Sequence, residues 1–146
     1  WVIFNEGWGQ FQTEDMTRIV RRLDPNRLID QASGWFDQGG GDFSSLHNYF
    51  FKLFIRPERE RASVLSEFGG YSYREPGHCA KEKLYGYGIC KNKKDLEKRF
   101  LERWSGVRNL IPQGLSASIY TQWTDVEEEV NGVFTYDREV RKIEPF

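Results

Sequence analysis

The chain has 146 residues, a formal net charge of -1 and 16% aromatic side chains. That length suits one ordinary domain. The near-zero charge gives no electrostatic footprint for nucleic acid or an anionic membrane, and no stretch approaches the roughly 20 apolar residues of a membrane span.

Trp1 opens the chain on an apolar run, Val2-Ile3-Phe4, with neither an initiator Met nor a leader before it. It therefore reads as a piece of a longer protein. Its compartment stays open, a periplasmic or secreted setting included. Trp1 to Phe4 is expected as a short buried strand. It runs into the polar, glycine-rich Asn5-Glu6-Gly7-Trp8-Gly9. Thr13 is then placed to cap a helix that carries Glu14 and Asp15 in its first turn. Met16, Ile19, Val20 and Leu23 recur at helical spacing until Pro25 stops the pattern.

Arg27 to Gln31 reads as a second strand, with Leu28 and Ile29 inside, and Ser33 to Phe43 as a loop. A third strand is expected over about Ser45 to Tyr49, then a brief helical turn at Pro57 to Glu60, and a fourth strand over Ala62 to Glu67. Gly69 to Lys94 has no periodicity, and a loop of that length is usually functional or mobile. Leu96, Phe100, Trp104, Val107 and Ile111 share one face of a long helix that ends before Pro112. The alternation from Leu115 to Trp123 predicts a fifth strand. The acidic run Asp125 to Glu129 reads as a solvated loop.

Alternating strands and helices predict an α/β fold with a parallel sheet, whose active residues sit at the carboxyl ends of the strands. Glu6, His47, Glu67 and Trp123 all fall there. Glu6 and Glu67 are the acidic residues placed directly at strand ends, each close to a glycine that lets substrate approach. Hydrolysing a glycosidic bond with retention needs two carboxyl groups about 5–5.5 Å apart, one to protonate the leaving oxygen and one to attack the sugar carbon. Cys79 and Cys90 are too few for a disulfide framework and read as free thiols, although pairing stays open. With His78 they fit no standard zinc spacing, so no cofactor is indicated; a divalent or monovalent cation stays open, the run Asp125 to Glu129 being one place that could hold it.

Four segments carry a more specific signal. Phe4-Asn5-Glu6-Gly7-Trp8-Gly9 resembles the acid/base segment of glycoside hydrolase family 2. Ser66-Glu67-Phe68-Gly69-Gly70 resembles that family's nucleophile segment, Leu46-His47-Asn48-Tyr49 its sixth-strand segment and Thr121-Gln122-Trp123-Thr124-Asp125 its eighth. They occur in the family's order and span nearly the whole chain. The resemblance implies strands four to eight of a (β/α)8 TIM barrel, residues 1–146 forming the C-terminal part of one catalytic domain. It implies a retaining exo-β-glycosidase with Glu6 as acid/base and Glu67 as nucleophile. Asn5 would donate to the sugar 2-hydroxyl, His47 would contact sugar hydroxyls, Tyr49 would hydrogen-bond Glu67, and Trp123 would floor the sugar site. Trp8 and Trp35 would line outer subsites. Asn131-Gly132-Val133 lacks the lysine with which the family's glucuronidases read a carboxylate, so β-galactosides are favoured over β-glucuronides, with β-mannosides a further option. A non-catalytic sugar-binding remnant is the alternative. Half a barrel would also expose raw edges at Trp1 to Phe4 and Leu115 to Trp123. The isolated piece is therefore expected to self-associate and to be inactive.

Overall fold

A computed structural model of the chain describes residues 1–144. In chain order the elements are β1 (Val2–Asn5), α1 (Thr13–Leu23), β2 (Asp30–Ser33), β3 (Phe43–Asn48), β4 (Ala62–Gly69), β5 (Tyr71–Ser72), β6 (Gly88–Ile89), α2 (Lys93–Arg108), a 3-10 turn (Ile111–Gln113) and β7 (Leu115–Thr121). The helix and strand segments expected from periodicity are present, some with moved ends. The second strand begins at Asp30 instead of Arg27, which leaves Leu28 58% exposed while Ile29 is sealed. Gln12, not Thr13, stands at the cap of α1, and no side chain bonds there. The segment Pro57–Glu60 forms no helix, and the expected loop after Gly69 contains the parallel pair of β5 and β6.

The expected half-barrel does not form. Among the described residues the strands make three small sheets, β1-β2, β3-β4-β7 and β5-β6, and there are two α-helices. A barrel needs an unbroken backbone ladder from strand to strand and a helix outside nearly every strand. Here the ladder stops between β2 and β3. The Ser45 hydroxyl occupies that junction: it lies 2.8 Å from Asp30 Oδ1 and 3.3 Å from the Ala32 carbonyl, and accepts from Gly34 N–H at 3.3 Å. The connections from β2 to β3 and from β3 to β4 contain no α-helix. α1 buries none of its residues completely, with Leu23 80% exposed. Self-association thus loses its argument from barrel edges, although β1 is an edge strand carrying the exposed Trp1 and Val2.

The chain divides into two compact units. The first comprises Trp1–Asn48, Leu53–Glu67 and Asn109–Ser118; the second comprises Tyr49–Lys52, Phe68–Arg108 and the chain from Ile119 onward. In the first, β1 and β2 pair in parallel, with Val2 opposite Asp30, Phe4 opposite Ala32 and Asn5 opposite Ser33. Its interior is built on Ile29, Ala32, Leu46, Val64 and Leu65. In the second, the face of α2 carrying Leu96 and Phe100 packs with Cys90 and Ile143 and against Tyr71, Tyr73, Tyr120 and Val133. Both cysteines are free thiols. No helix among the described residues is long and apolar enough to cross a membrane.

Candidate active site

The first unit gathers Glu6, His47 and Glu67 at the carboxyl ends of β1, β3 and β4. Glu6 follows the last residue of β1. Its N–H donates to the Ser33 carbonyl at 2.8 Å, and its φ of 56° turns the chain out of the strand. Glu67 stands near the end of β4. His47 Nδ1 lies 3.0 Å from Glu6 Oε1 and 3.4 Å from Glu67 Oε2. One ligand-capable atom from each of the three residues lies within 4.8 Å of the other two. The imidazole is wholly buried, whereas the Glu6 and Glu67 side chains are 24% and 28% exposed. A sealed base thus supports two carboxyls that face solvent.

Several neighbours fix His47. Its Nε2 lies 3.1 Å from the Ser33 hydroxyl, and the Trp35 indole N–H donates to its backbone carbonyl at 3.4 Å. The Trp35 ring stands edge-on to the imidazole, with centroids 6.0 Å apart. Gly34 presses against the ring's other atoms at φ +92°, so a side chain there would be strained and would collide with His47. Behind Ser33, burial pushes the Asp30 carboxyl up, and hydrogen bonds from Ser45 and Ser33 oppose that rise. Asp30, Ser33 and Ser45 form a buried polar support that the sequence reading passed over. Its signal was present in β2, where Asp30, Gln31 and Ser33 interrupt an otherwise apolar setting.

The other expected residues are distributed as follows. Asn5 ends β1, opposite Ser33, and is exposed. Trp8 is 80% exposed in the loop after Glu6, and Trp35 is 37% exposed. The glycine beside Glu6 does not leave an open approach: the space next to Gly7 is filled by the Phe36 ring. His47 makes its polar contacts with Glu6, Glu67 and Ser33, and its buried ring presents no surface to a sugar. Tyr49 and Trp123 belong to the second unit. There the Tyr49 hydroxyl donates to Thr121 Oγ1 at 3.2 Å and its ring stacks on Tyr87 at 3.9 Å. Trp123 is 68% exposed, its ring tilted against Phe134 at 5.0 Å.

The second unit also corrects the reading of the acidic run at its first residue. Asp125 is sealed rather than solvated, bonded through Oδ1 to Lys142 Nζ at 2.6 Å and to Gly132 N–H at 2.8 Å. Two clusters among the described residues have the donor set for a metal ion: Glu6, His47 and Glu67 in the first unit, and His78, Asp137 and Glu139 in the second. The first would suit a divalent cation only if His47 Nδ1 gave up its contacts with both carboxyls. In the second, His78 Nδ1 is already engaged with Asp137 at 2.7 Å. Compared with known protein families and with curated proteins, the chain matches none.

Proposed function

We propose that this chain carries the reacting groups of a retaining β-glycosidase, with Glu67 as nucleophile and Glu6 as acid/base. The observation that carries the reading is the carboxyl pair itself, with reactive oxygens within 4.8 Å at two strand ends and each partly open to solvent. Inverting enzymes hold their carboxyls about 6.5–9.5 Å apart to admit a water between them, so a close pair favours double displacement. The roles of the two residues rest on the resemblance of Phe4 to Gly9 and of Ser66 to Gly70 to family segments.

In the first step a Glu67 oxygen attacks the anomeric carbon as the bond to the leaving oxygen breaks, and Glu6 delivers its proton to that oxygen. In the second, Glu6 removes a proton from water, the water oxygen attacks the same carbon, and the Glu67 ester bond breaks. His47, within reach of both carboxyls, is a positioning residue that keeps them at one spacing through the change of charge. Sugars without a carboxylate remain the favoured substrates, β-galactosides first. Lys142 comes to the Asn131 loop but is buried, with its amine directed at Asp125, Val130 and Tyr73.

The test uses the protein as it occurs naturally. Glu67→Ala should lose several orders of magnitude in turnover of nitrophenyl β-galactoside. Azide should then restore turnover by attacking the anomeric carbon directly, giving the α-glycosyl azide. Near-native turnover without azide would remove Glu67 from the role. Sugar binding without turnover in the unmutated protein would leave a binding remnant instead.

A further inference from the structure

Strand β2 buries every one of its residues, although Asp30, Gln31 and Ser33 are polar. A carboxyl taken out of water destabilises the fold unless it is hydrogen-bonded or paired. Asp30 is held by two hydroxyls, that of Ser45 at 2.8 Å and that of Ser33, and the charge that draws its ionised form is that of His47. Burial pushes this carboxyl up, and the two hydroxyls and His47 pull it back. The Ser33 hydroxyl in turn lies 3.1 Å from His47 Nε2. Across the ring, Nδ1 lies 3.0 Å from Glu6 Oε1 and 3.4 Å from Glu67 Oε2. One line of contacts thus joins Asp30 to both carboxyls through a wholly buried imidazole, and all of it lies within the first unit.

Counting protons along that line fixes their places. A serine hydroxyl has one proton to give. Ser33 has a carboxyl on one side and an imidazole nitrogen on the other, and the bond to a carboxylate is the stronger, charge-assisted one. Its oxygen is then left to accept, so His47 Nε2 has to carry a hydrogen. In a neutral ring that leaves Nδ1 as a bare lone pair facing two carboxyls. A lone pair and two carboxylates repel one another, so one proton has to lie between Nδ1 and Glu6, the nearer carboxyl. This is the proton a leaving oxygen needs. With Asp30 uncharged the order reverses. Ser33 gives its proton to Nε2, the ring hydrogen sits on Nδ1, and that N–H serves Glu6 and Glu67 as carboxylates. The number of protons is the same, but Glu6 has none to deliver.

We propose that Asp30 is a positioning residue of the active site: through Ser33 it fixes the His47 hydrogen on Nε2 and so holds the acid proton between Nδ1 and Glu6. This rests on the glycosidase reading above and adds to it what keeps Glu6 supplied with a proton. Among the described residues the ionisable groups on this line are Glu6 after β1, Asp30 in β2, His47 in β3 and Glu67 in β4. Asp37, in the loop after β2, opposes the ionised form of Asp30, and Arg61 clamps it through both carboxylate oxygens at 2.7 and 2.6 Å.

Asp30→Asn tests the proposal, since Asn keeps the shape and still accepts from Ser45 while its amide N–H turns to Ser33. The basic limb of kcat/KM for a disaccharide, along which the acid proton is lost, should move to lower pH by about one pH unit. Ser33→Ala leaves Asp30 in place and removes its route to His47, so it should move the limb the same way. The double variant should move it no further than either single one. A purely structural role would lower the whole profile and leave the limb where it is, and that result would overturn the proposal, as would additive shifts. Imidazole nitrogen NMR, with the His47 signals identified by their loss in His47→Gln, reads the proton directly and needs no substrate. Nε2 should carry the hydrogen in the wild type and lose it in both variants. A bare Nε2 in the wild type would overturn the relay whatever the activity. Azide rescue of Glu67→Ala, run alongside, tests the glycosidase reading separately. If rescue holds and the limb does not move, only the role of Asp30 falls. If rescue fails, the glycosidase reading falls and takes that role with it.

Discussion

Asp125 and Lys142 in the second unit are sealed from solvent, whereas Glu6 and Glu67 in the first each keep about a quarter of the side chain open. Burial pushes the Asp125 carboxyl up and the Lys142 amine down, and the hydrogen bond between them opposes both shifts. Lys142 aims its amine at three oxygens, those of Asp125, Val130 and Tyr73, so the pair has no donor left for a ligand. Glu6 and Glu67 are built the other way. Their support, His47, is buried and bonded, but the carboxyls themselves face outward. The two ionisable centres thus differ in what they leave open to solvent. A closed pair ties loops together, and a pair with one open side is free to meet a substrate.

That contrast breaks most visibly in activity. Removing a general acid costs about 10²–10⁴-fold in rate. On the proposed reading, Glu6→Ala should lose disaccharide hydrolysis by that factor while sparing the first step with dinitrophenyl glycosides, whose leaving group needs little protonation. Single-turnover kinetics on the two substrates would show it, and equal losses would count against the acid role. The same variant should keep the wild-type urea midpoint, because its site was never sealed.

The closed pair should show the reverse. Asp125→Ala leaves a buried ammonium without its counter-charge, a change that costs about 3–5 kcal/mol. The unfolding free energy read from urea titration should fall by that amount, carrying the midpoint to lower urea, and most of it should return in the double variant Asp125→Ala with Lys142→Met, which removes the orphaned charge. A midpoint unmoved by Asp125→Ala would show that this ion pair is not the tie described.

Much of the site was readable in advance because strand ends and glycine-rich turns leave clear marks. Glu6 follows an apolar run, His47 and Glu67 lie toward the ends of strands expected from the sequence, and the structure brings those three together. What supports them was harder to see. Asp30, Ser33 and Ser45 are buried polar residues, and a hydropathy pattern has no sign for a hydroxyl that takes the place of a backbone ladder. That substitution is also why the strands were legible one by one while the barrel was not: periodicity speaks for a strand and its faces, and closure depends on pairing between strands. β5 and β6, two residues each, are too short to leave any period. Phe36 was hidden for another reason. Nothing about a phenylalanine in a glycine-rich loop announces a positive φ, although Gly7, which makes room for its ring, was in plain view.

A third charged pair, open on both sides, extends the comparison to its small end. His78 Nδ1 lies 2.7 Å from Asp137 Oδ2, joining the loop after β5 to the segment near the end of the chain. Asp137 also accepts from the Thr135 hydroxyl at 2.6 Å and from Glu139 N–H at 3.1 Å. These bonds, Thr135 first and His78 third, hold its carboxyl down at about 2. The hydrogen bond to Asp137 raises His78 above its usual 6.5, and Glu139 and Glu75 add to the rise. The signs then define a window. A depressed carboxyl stabilises the fold above its ordinary value of 3.8 and stops doing so as pH falls through about 2. A raised imidazole stabilises it fully below 6.5 and stops as pH rises through the elevated value in the folded state. The clasp is therefore complete between about pH 4 and 6.5 and weakens on either side. The chain has two histidines, so comparing imidazole NMR titrations of the wild type and His78→Gln assigns the His78 curve directly. Its midpoint should lie above 6.5, and amide exchange around Glu75 to Cys79 should speed up above that midpoint in the wild type alone. A His78 midpoint at or below 6.5 would mean that the pair seen here does not hold in solution, and the open end of the comparison would contribute nothing to stability.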